Sequence, residues 1–304
     1  MPASRPFRWL LLLAGGFAVA GGPLAARAAS DAPSSAPASS TPAPKWDIFR
    51  FVDELPETIG DLLPHDQPSG AVRLYLRPRY GDLIRRDYLR VPAGVRLQVT
   101  DNLAVTTELQ SYFTHGLGDS AGYGLSGLLL GARCEHVLPA LNQGGFSVGV
   151  NYTSPLSRPP QDLTDGHRHL LPYIAATRPL LARWKLLGYA SFGADFLEHT
   201  AMPAHFGQNE LHANSLVATG GAAREWSRFR VALTATLAST AFVSDERRQV
   251  FSLQPEVVLP LRPATATTQV LLTLSGHAVW GPGGQELGLS SSVRIESLLA
   301  GKHR

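Results

Sequence analysis

Residues 86 to 114, RDYLRVPAGVRLQVTDNLAVTTELQSYFT, constrain the fold more than any other stretch, because apolar and polar residues alternate on both sides of a turn. Leu89, Val91, Ala93, Val95, Leu97 and Val99 occupy one face of the first run, and Arg90, Gly94, Arg96, Gln98 and Thr100 the other. In the second run Leu103, Val105, Leu109 and Phe113 share a face opposite Thr106, Glu108, Gln110 and Tyr112. A two-residue Asp101-Asn102 loop would set Gln98 against Val105, polar against apolar. A three-residue loop, Thr100-Asp101-Asn102, pairs Leu97 with Val105 and Val95 with Thr107, and is expected to place Asn102 in the left-handed conformation. Each strand then reaches the ~9–11 residues with which a tilted strand crosses a bilayer. The apolar face is expected to meet lipid, and the Arg/Gln/Glu face to line an interior.

What precedes this hairpin reads as an export signal and a leader. In residues 1–29, Arg5 and Arg8 stand before WLLLLAGGFAVAGG, and the small-residue run AARAAS offers a cleavage site near Ala29. The apolar core is too short and too glycine-broken for a transmembrane helix, and no cysteine stands at the cleavage region to carry a lipid. Cleavage takes Arg5, Arg8 and Arg27 and no acid from a formal charge of +3, leaving zero. The cation surplus of a nucleic-acid binder is therefore absent, and no nucleic-acid partner is expected. Cys134, the one cysteine, forms no internal disulfide. Residues 30–45, SDAPSSAPASSTPAPK, have nothing to bury and are expected to be a disordered linker. In residues 46–66 Val52, Leu55, Ile59, Leu62 and Leu63 recur at helical spacing and Pro56 suits a first turn, which predicts a short amphipathic helix that covers the barrel's periplasmic mouth or packs beside the first strand, the second placement being favoured.

Residues 67–304 are expected to form one domain. Twelve strand-like segments lie at 70–82, 86–100, 103–114, 122–137, 145–154, 168–178, 184–196, 211–223, 229–242, 249–261, 268–280 and 286–298. Short connections such as TDN, PALNQG and RPATAT alternate with longer polar ones such as THGLGDSAG and SPLSRPPQDLTDGHR. Short periplasmic turns and long external loops produce that rhythm. Tyr88, Phe113, Phe146, Tyr152, Trp184, Phe196, Trp226, Phe229, Phe242 and Trp280 fall near strand ends, as the aromatic girdles of a membrane barrel do. The expected fold is all-β: a transmembrane up-and-down antiparallel barrel of about twelve strands, exported to the outer membrane and surrounded by its lipid.

The segments GVRLQVTDNLAVTTELQ and YGLSGLLLGARCEHVLPALNQGGFSVGVNYTSPL carry a strand, a T-D-x-L turn, a strand, a Gly-bounded strand and a G-V-x-Y-x-S-P strand entering a loop. In this they resemble the outer-membrane transporters of the MetA-pathway phenol-degradation family, over Val91 to Leu261. The resemblance implies a transporter barrel and brings no catalytic residues. Bacterial barrels of this kind commonly finish on an aromatic residue, whereas this chain finishes IESLLAGKHR, so the assembly signal is expected to be missing or displaced.

Following the alternation, Arg73, Tyr75, Arg77 and Arg79 share the inner face of the first strand, Arg90 and Arg96 that of the second, Glu108 that of the third, and Arg294 and Glu296 that of the last. Closure makes the last strand a neighbour of the first. The expected lumen-lining set is therefore Arg73, Arg77, Arg96, Glu108, Arg294 and Glu296, with Arg79 and Arg90 candidates to lie outside the pore. Two readings stand side by side: a basic track attracting carboxylate- or phosphate-bearing solutes, or an ion-pair network that stiffens the wall or closes the lumen.

Three other groupings carry less. His199, His205 and His212, with Glu198 and Glu210, match no tight metal-ligand spacing and read as solvated loop residues. The segment HANSLVATGGAAREW resembles the histidine, serine and asparagine wall motif of twelve-stranded outer-membrane phospholipases, with Asn214 and Ser215 in the reverse order. On a strand His212 and Asn214 would share a face and Ser215 would point away, so no nucleophile–base contact is expected. GYGLSG spells GxGxxG at Gly122, Gly124 and Gly127, but a loop precedes it and a strand follows, the reverse of a dinucleotide site. The expected function is a channel or transporter for small solutes, neither an enzyme nor a holder of cofactor or metal. A structural or adhesive barrel with a plugged lumen is the alternative and a phospholipase-like enzyme the third; homo-oligomerisation is left open. The mature chain is expected to begin near Ser30 and to fractionate with the outer membrane, read by N-terminal sequencing of the exported protein. Recovery of folded chain in the soluble periplasm would contradict this.

Overall fold

The alternation predicted for the two runs around Thr100 is realised as adjacent antiparallel strands, and the same pattern closes around the chain. The computed structural model describes residues 69–80, 88–114, 122–135, 137, 145–156, 166–200, 211–226, 228–245, 247–262 and 268–300. The expected signal, linker and amphipathic helix lie outside the described residues, as do His205 and Glu210. The strands are β1 (Val72–Leu76), β2 (Arg79–Tyr80), β3 (Tyr88–Gln98), β4 (Leu103–Thr114), β5 (Tyr123–Glu135), β6 (Phe146–Pro155) and β7 (His167–Leu181). They continue with β8 (Leu186–His199), β9 (Ser215–Glu225), β10 (Arg230–Ser239), β11 (Gln249–Arg262), β12 (Thr268–Gly281) and β13 (Gly284–Ala300).

Each strand from β3 to β13 pairs antiparallel with its neighbours in sequence order, and β13 returns to pair with β1 and β2. β1 and β2 are halves of one stave. Both pair with β3 on one side and β13 on the other, and the register runs unbroken from Tyr75 opposite Gly94 to Arg79 opposite Arg90. Pro78 separates them because it has no N–H to give the ladder, although its carbonyl still accepts from Val293 at 2.9 Å. The result is a closed barrel of twelve staves, as the sequence predicts.

Its surface is inverted relative to a water-soluble domain. Leu74, Leu76, Val95, Leu97, Val105, Leu109, Ile174, Phe192, Leu233 and Ile295 face outward and exposed, while Arg73, Arg96, Gln98, Glu108, Arg133, Glu135, Glu256, Arg294 and Glu296 are buried inside. Such a distribution suits hydrocarbon around the wall.

Register also decides how the inner wall is filled. Tyr75, Tyr112, Tyr173 and Tyr189 lie directly opposite Gly94, Gly124, Gly149 and Gly221 on the adjoining strands. A Cβ at any of these glycines would collide with the facing tyrosine ring, so each ring lies flat over the bare backbone of its neighbour. Gly124 of the GxGxxG segment is one of these seats, within β5.

The β3–β4 turn has the predicted length and pairing, Leu97 with Val105 and Val95 with Thr107. Its conformation differs from expectation: among the described non-glycine residues only Lys185 has a positive φ, so Asn102 is not left-handed. The Thr100 hydroxyl does the holding, accepting from the N–H of Asn102 at 3.3 Å and of Leu103 at 3.0 Å. Inside the rim, Gln98 Nε2 donates to the Thr100 carbonyl at 3.0 Å.

Leu109 and Leu103 are exposed to similar extents, 39% and 37%, but Leu109 lies mid-strand and Leu103 at the rim. Arginine at Leu109 is expected to destabilise the barrel by ~2–4 kcal/mol and at Leu103 by ~0–1 kcal/mol, because the cost of a charge depends on depth in the bilayer. Urea unfolding of the protein folded into vesicles measures the difference; equal costs would contradict the placement.

Candidate functional site

The wall formed by β13, β1, β2, β3 and β4 gathers the charged residues that the alternation singled out. Glu296 and Glu108 organise it. Glu296 Oε1 accepts from Arg73 Nη1 at 3.0 Å across the closing seam, and its Oε2 accepts from Arg294 Nε at 3.1 Å along the same strand. Glu108 Oε2 accepts from the Tyr75 hydroxyl at 3.0 Å and from Arg77 Nη2 at 3.3 Å, and its Oε1 accepts from Gln110 Nε2 at 3.0 Å. Tyr75 reaches Glu108 from two staves away because Gly94, on the intervening β3, leaves room for the ring. The Arg294 guanidinium stands 5.3 Å from the centre of that same ring. Arg96, opposite Arg73 on β3, donates from Nε to Thr106 Oγ1 at 3.4 Å.

All six predicted residues therefore point inward: Arg73 and Arg294 gather on Glu296 and Arg77 on Glu108, Tyr75 links the two groups by bonding Glu108 beside Arg294, and Arg96 lies next to them opposite Arg73. Arg79 and Arg90, named as candidates to lie outside, are also on the inner face. Arg79 is opposite Ser292 and Arg90, and its Nη2 donates to Ser290 Oγ at 3.3 Å. They stay inward because the register passes through Pro78 without a slip.

Two further charged groupings were not singled out from the sequence. Arg133 Nη2 meets Glu135 Oε1 at 2.7 Å on β5, and Arg230 opens β10 where its Nη2 lies 3.7 Å from Glu225 Oε2, while the buried Glu256 on β11 stands opposite Ala232 in the next inward position of β10. The alternation Arg133-Cys134-Glu135 was the available signal, and the structure leaves Cys134 exposed between the two buried charges.

At the long-loop end, His167 packs edge-on against His199 with ring centres 4.6 Å apart, and His169 Nδ1 lies 3.0 Å from Asp195 Oδ2. Among the described residues no group of three or more His, Cys, Asp or Glu side chains is placed to hold a metal ion. The strand expected to start at 211 starts at Ser215, so His212 and Asn214 precede it rather than sharing a strand face. Asn214 Oδ1 accepts the Leu197 N–H at 2.9 Å, which uses the carboxamide structurally.

No family model matches the chain, and no curated protein matches it. Among solved structures it is similar to an outer membrane channel from Pseudomonas putida F1, with 15% identity and a TM-score of 0.53 over 79% of this chain and 98% of that one. The KdgM porin, at 7% identity and TM-score 0.46, covers 75% of this chain and 99% of its own; the NanC porin, at 13% and 0.44, covers 76% and 100%. What is shared is the fold.

Buried charges depend on their partners. Replacing Glu296 with glutamine removes the charge that serves both Arg73 and Arg294, and is expected to cost ~3–5 kcal/mol in urea unfolding. Glu198→Gln breaks an exposed pair with Arg168 and is expected to cost no more than ~1 kcal/mol.

Proposed function

We propose that the chain is an outer-membrane channel for small solutes that favours anionic ones, with Arg73, Arg77, Arg96, Glu108, Arg294 and Glu296 lining the pore. The observation that carries this reading is the composition of one inner wall: Arg73, Arg77, Arg79, Arg90, Arg96 and Arg294 against Glu108 and Glu296. The surplus is positive, and low-dielectric walls focus such a field along a bore. The glutamates tie Arg73, Arg77 and Arg294 to the wall, which holds guanidinium groups at fixed height for an arriving carboxylate or phosphate. An apolar exterior and a polar interior support a membrane-spanning conduit, and the fold shared with a known outer membrane channel supports it further. The resemblance to the MetA-pathway transporters points the same way, as does the N-terminal segment, which we read as a cleaved export signal. Nothing in this reading calls for bond-making chemistry by the wall.

A second reading, a barrel held shut by its own ion pairs, is favoured by burial at the same wall: Arg96 and Glu296 are each 1% exposed. One experiment separates the two. Arg77→Gln with Arg96→Gln keeps polar bulk and removes two charges, so reversal potentials in planar bilayers are expected to show reduced anion preference with conductance largely retained. The wild-type preference is expected to fade with salt, since the screening length drops from ~10 Å at 0.1 M to ~3 Å at 1 M. A wild type that does not conduct, or a double variant that conducts for the first time, would replace the channel reading with the plug.

A further inference from the structure

The outer surface holds a second concentration of arginine, set apart from the lumen. It lies at the short-turn end, where β7 passes to β8 and β9 to β10. Arg178, Arg183, Lys185 and Arg228 are exposed there, and Arg224 is half-buried on the outward side of β9, next to the inward Ala223. The turn Ala182–Trp184 is one tight helical turn, and Lys185, at φ 50°, swings the chain into β8 and leaves Trp184 53% exposed. The Arg224 guanidinium sits 4.5 Å from the Trp226 ring centre and 5.8 Å from that of Trp184, and Trp226 in turn stacks on Phe229 at 4.9 Å. Arg224 Nε is buried and makes no hydrogen bond among the described residues. The only acid in segments 177–188 and 222–231 is Glu225, which lies toward Arg230 on the inward side.

Directly away from this rim the outward face of β8, β9 and β10 is unusually smooth. Ala190, Ala218, Gly220, Ala222 and Ala235 are neighbours across the register there, bordered by Phe192 and Leu233. A Cβ added at Gly220 would meet little, only the Tyr189 carbonyl oxygen at 3.8 Å, so the surface is a shallow open trough.

We propose that this face is a binding site for an anionic phospholipid of the bilayer leaflet at the short-turn rim, its phosphate held by Arg224 between Trp184 and Trp226 and its acyl chains lying along the alanine–glycine trough. The inference rests on the barrel's standing in a membrane, and it adds a site of defined chemistry on its outside. Charge and geometry favour this occupant. Tryptophan and arginine at the end of an apolar belt are at headgroup height, and each cation near the surface contributes to attraction of anionic lipid. Guanidinium stacked on indole keeps its N–H edges free for phosphate oxygens. A second copy docking on the same face about a two-fold axis would bring five cations against five, which opposes self-association there.

The test uses the full chain with Trp9, Trp46 and Trp280 replaced by phenylalanine, so that Trp184 and Trp226 alone report, folded into phosphatidylcholine vesicles. Brominated phosphatidylglycerol and brominated phosphatidylcholine are then compared as quenchers, with insertion followed separately by heat-modifiable mobility. Phosphatidylglycerol is expected to quench at roughly tenfold lower mole fraction at low salt. Arg224→Gln is expected to remove most of that preference, while Arg168→Gln at the opposite rim leaves it intact. Equal quenching by both lipids in the inserted wild type overturns the site and leaves the channel reading standing. A preference unchanged by Arg224→Gln overturns the role given to Arg224. Weak quenching by both lipids in an inserted barrel means that something else covers the face, which also overturns the proposal. Failure to insert overturns the membrane reading and the site with it.

Discussion

A sheet surrounded by hydrocarbon cannot leave an edge, because each unsatisfied backbone N–H or C=O there costs several kcal/mol. Everything else in this structure depends on how that edge is removed. The longest strand, β13, runs from Gly284 to Ala300 and finds its second partner in the first stave, where β1 supplies Val72–Leu76 and β2 Arg79–Tyr80. Among the described residues that stave has the shortest strands, and it carries Pro78 in its middle. Side chains reinforce it: Arg73 binds Glu296 across the seam, and Tyr75 and Arg77 bind Glu108 beyond β3. Among the described residues, the stave with the shortest strands is thus also held to its neighbours through Arg73, Tyr75 and Arg77.

Closure also explains why those ties are ionic. Once the outward positions are given to leucine, valine and isoleucine, the polar groups of the strands fall on the inward ones. Arginine suits the task because one planar group satisfies several acceptors, and glutamate suits it because each carboxylate accepts from two or three donors at once. Glu108 and Glu296 each do so. The same property that fills the wall leaves a surplus of fixed positive charge on it.

Much of this was legible from residue alternation, and the limits have identifiable causes. The pairing of Leu97 with Val105 follows from matching faces across the turn, and it holds. The left-handed Asn102 does not, because Thr100 stabilises the loop through its own hydroxyl and makes that conformation unnecessary. Alternation assigned Arg73, Arg77, Arg96, Glu108, Arg294 and Glu296 to one side, but it is blind to which of them meet. The Tyr75–Glu108 contact skips a stave, and depends on Gly94 being both glycine and in register. Arg79 and Arg90 stay on the inner face because Pro78 removes one donor from the ladder and leaves the register unchanged.

The tyrosines that lie over glycines bear on the calibre of the barrel. An inward tyrosine standing upright would occupy the bore with its full length; laid flat over a neighbour's bare backbone, it intrudes by little more than the thickness of its ring. Tyr75, Tyr112, Tyr173 and Tyr189 are each accommodated in this way, on staves distributed around much of the circumference. The calibre of the lumen is therefore written in Gly94, Gly124, Gly149 and Gly221, residues with no side chain of their own to present to it. A methyl group added to the wall at one of these seats would narrow the lumen by lifting an aromatic ring into it, an effect far larger than its own volume.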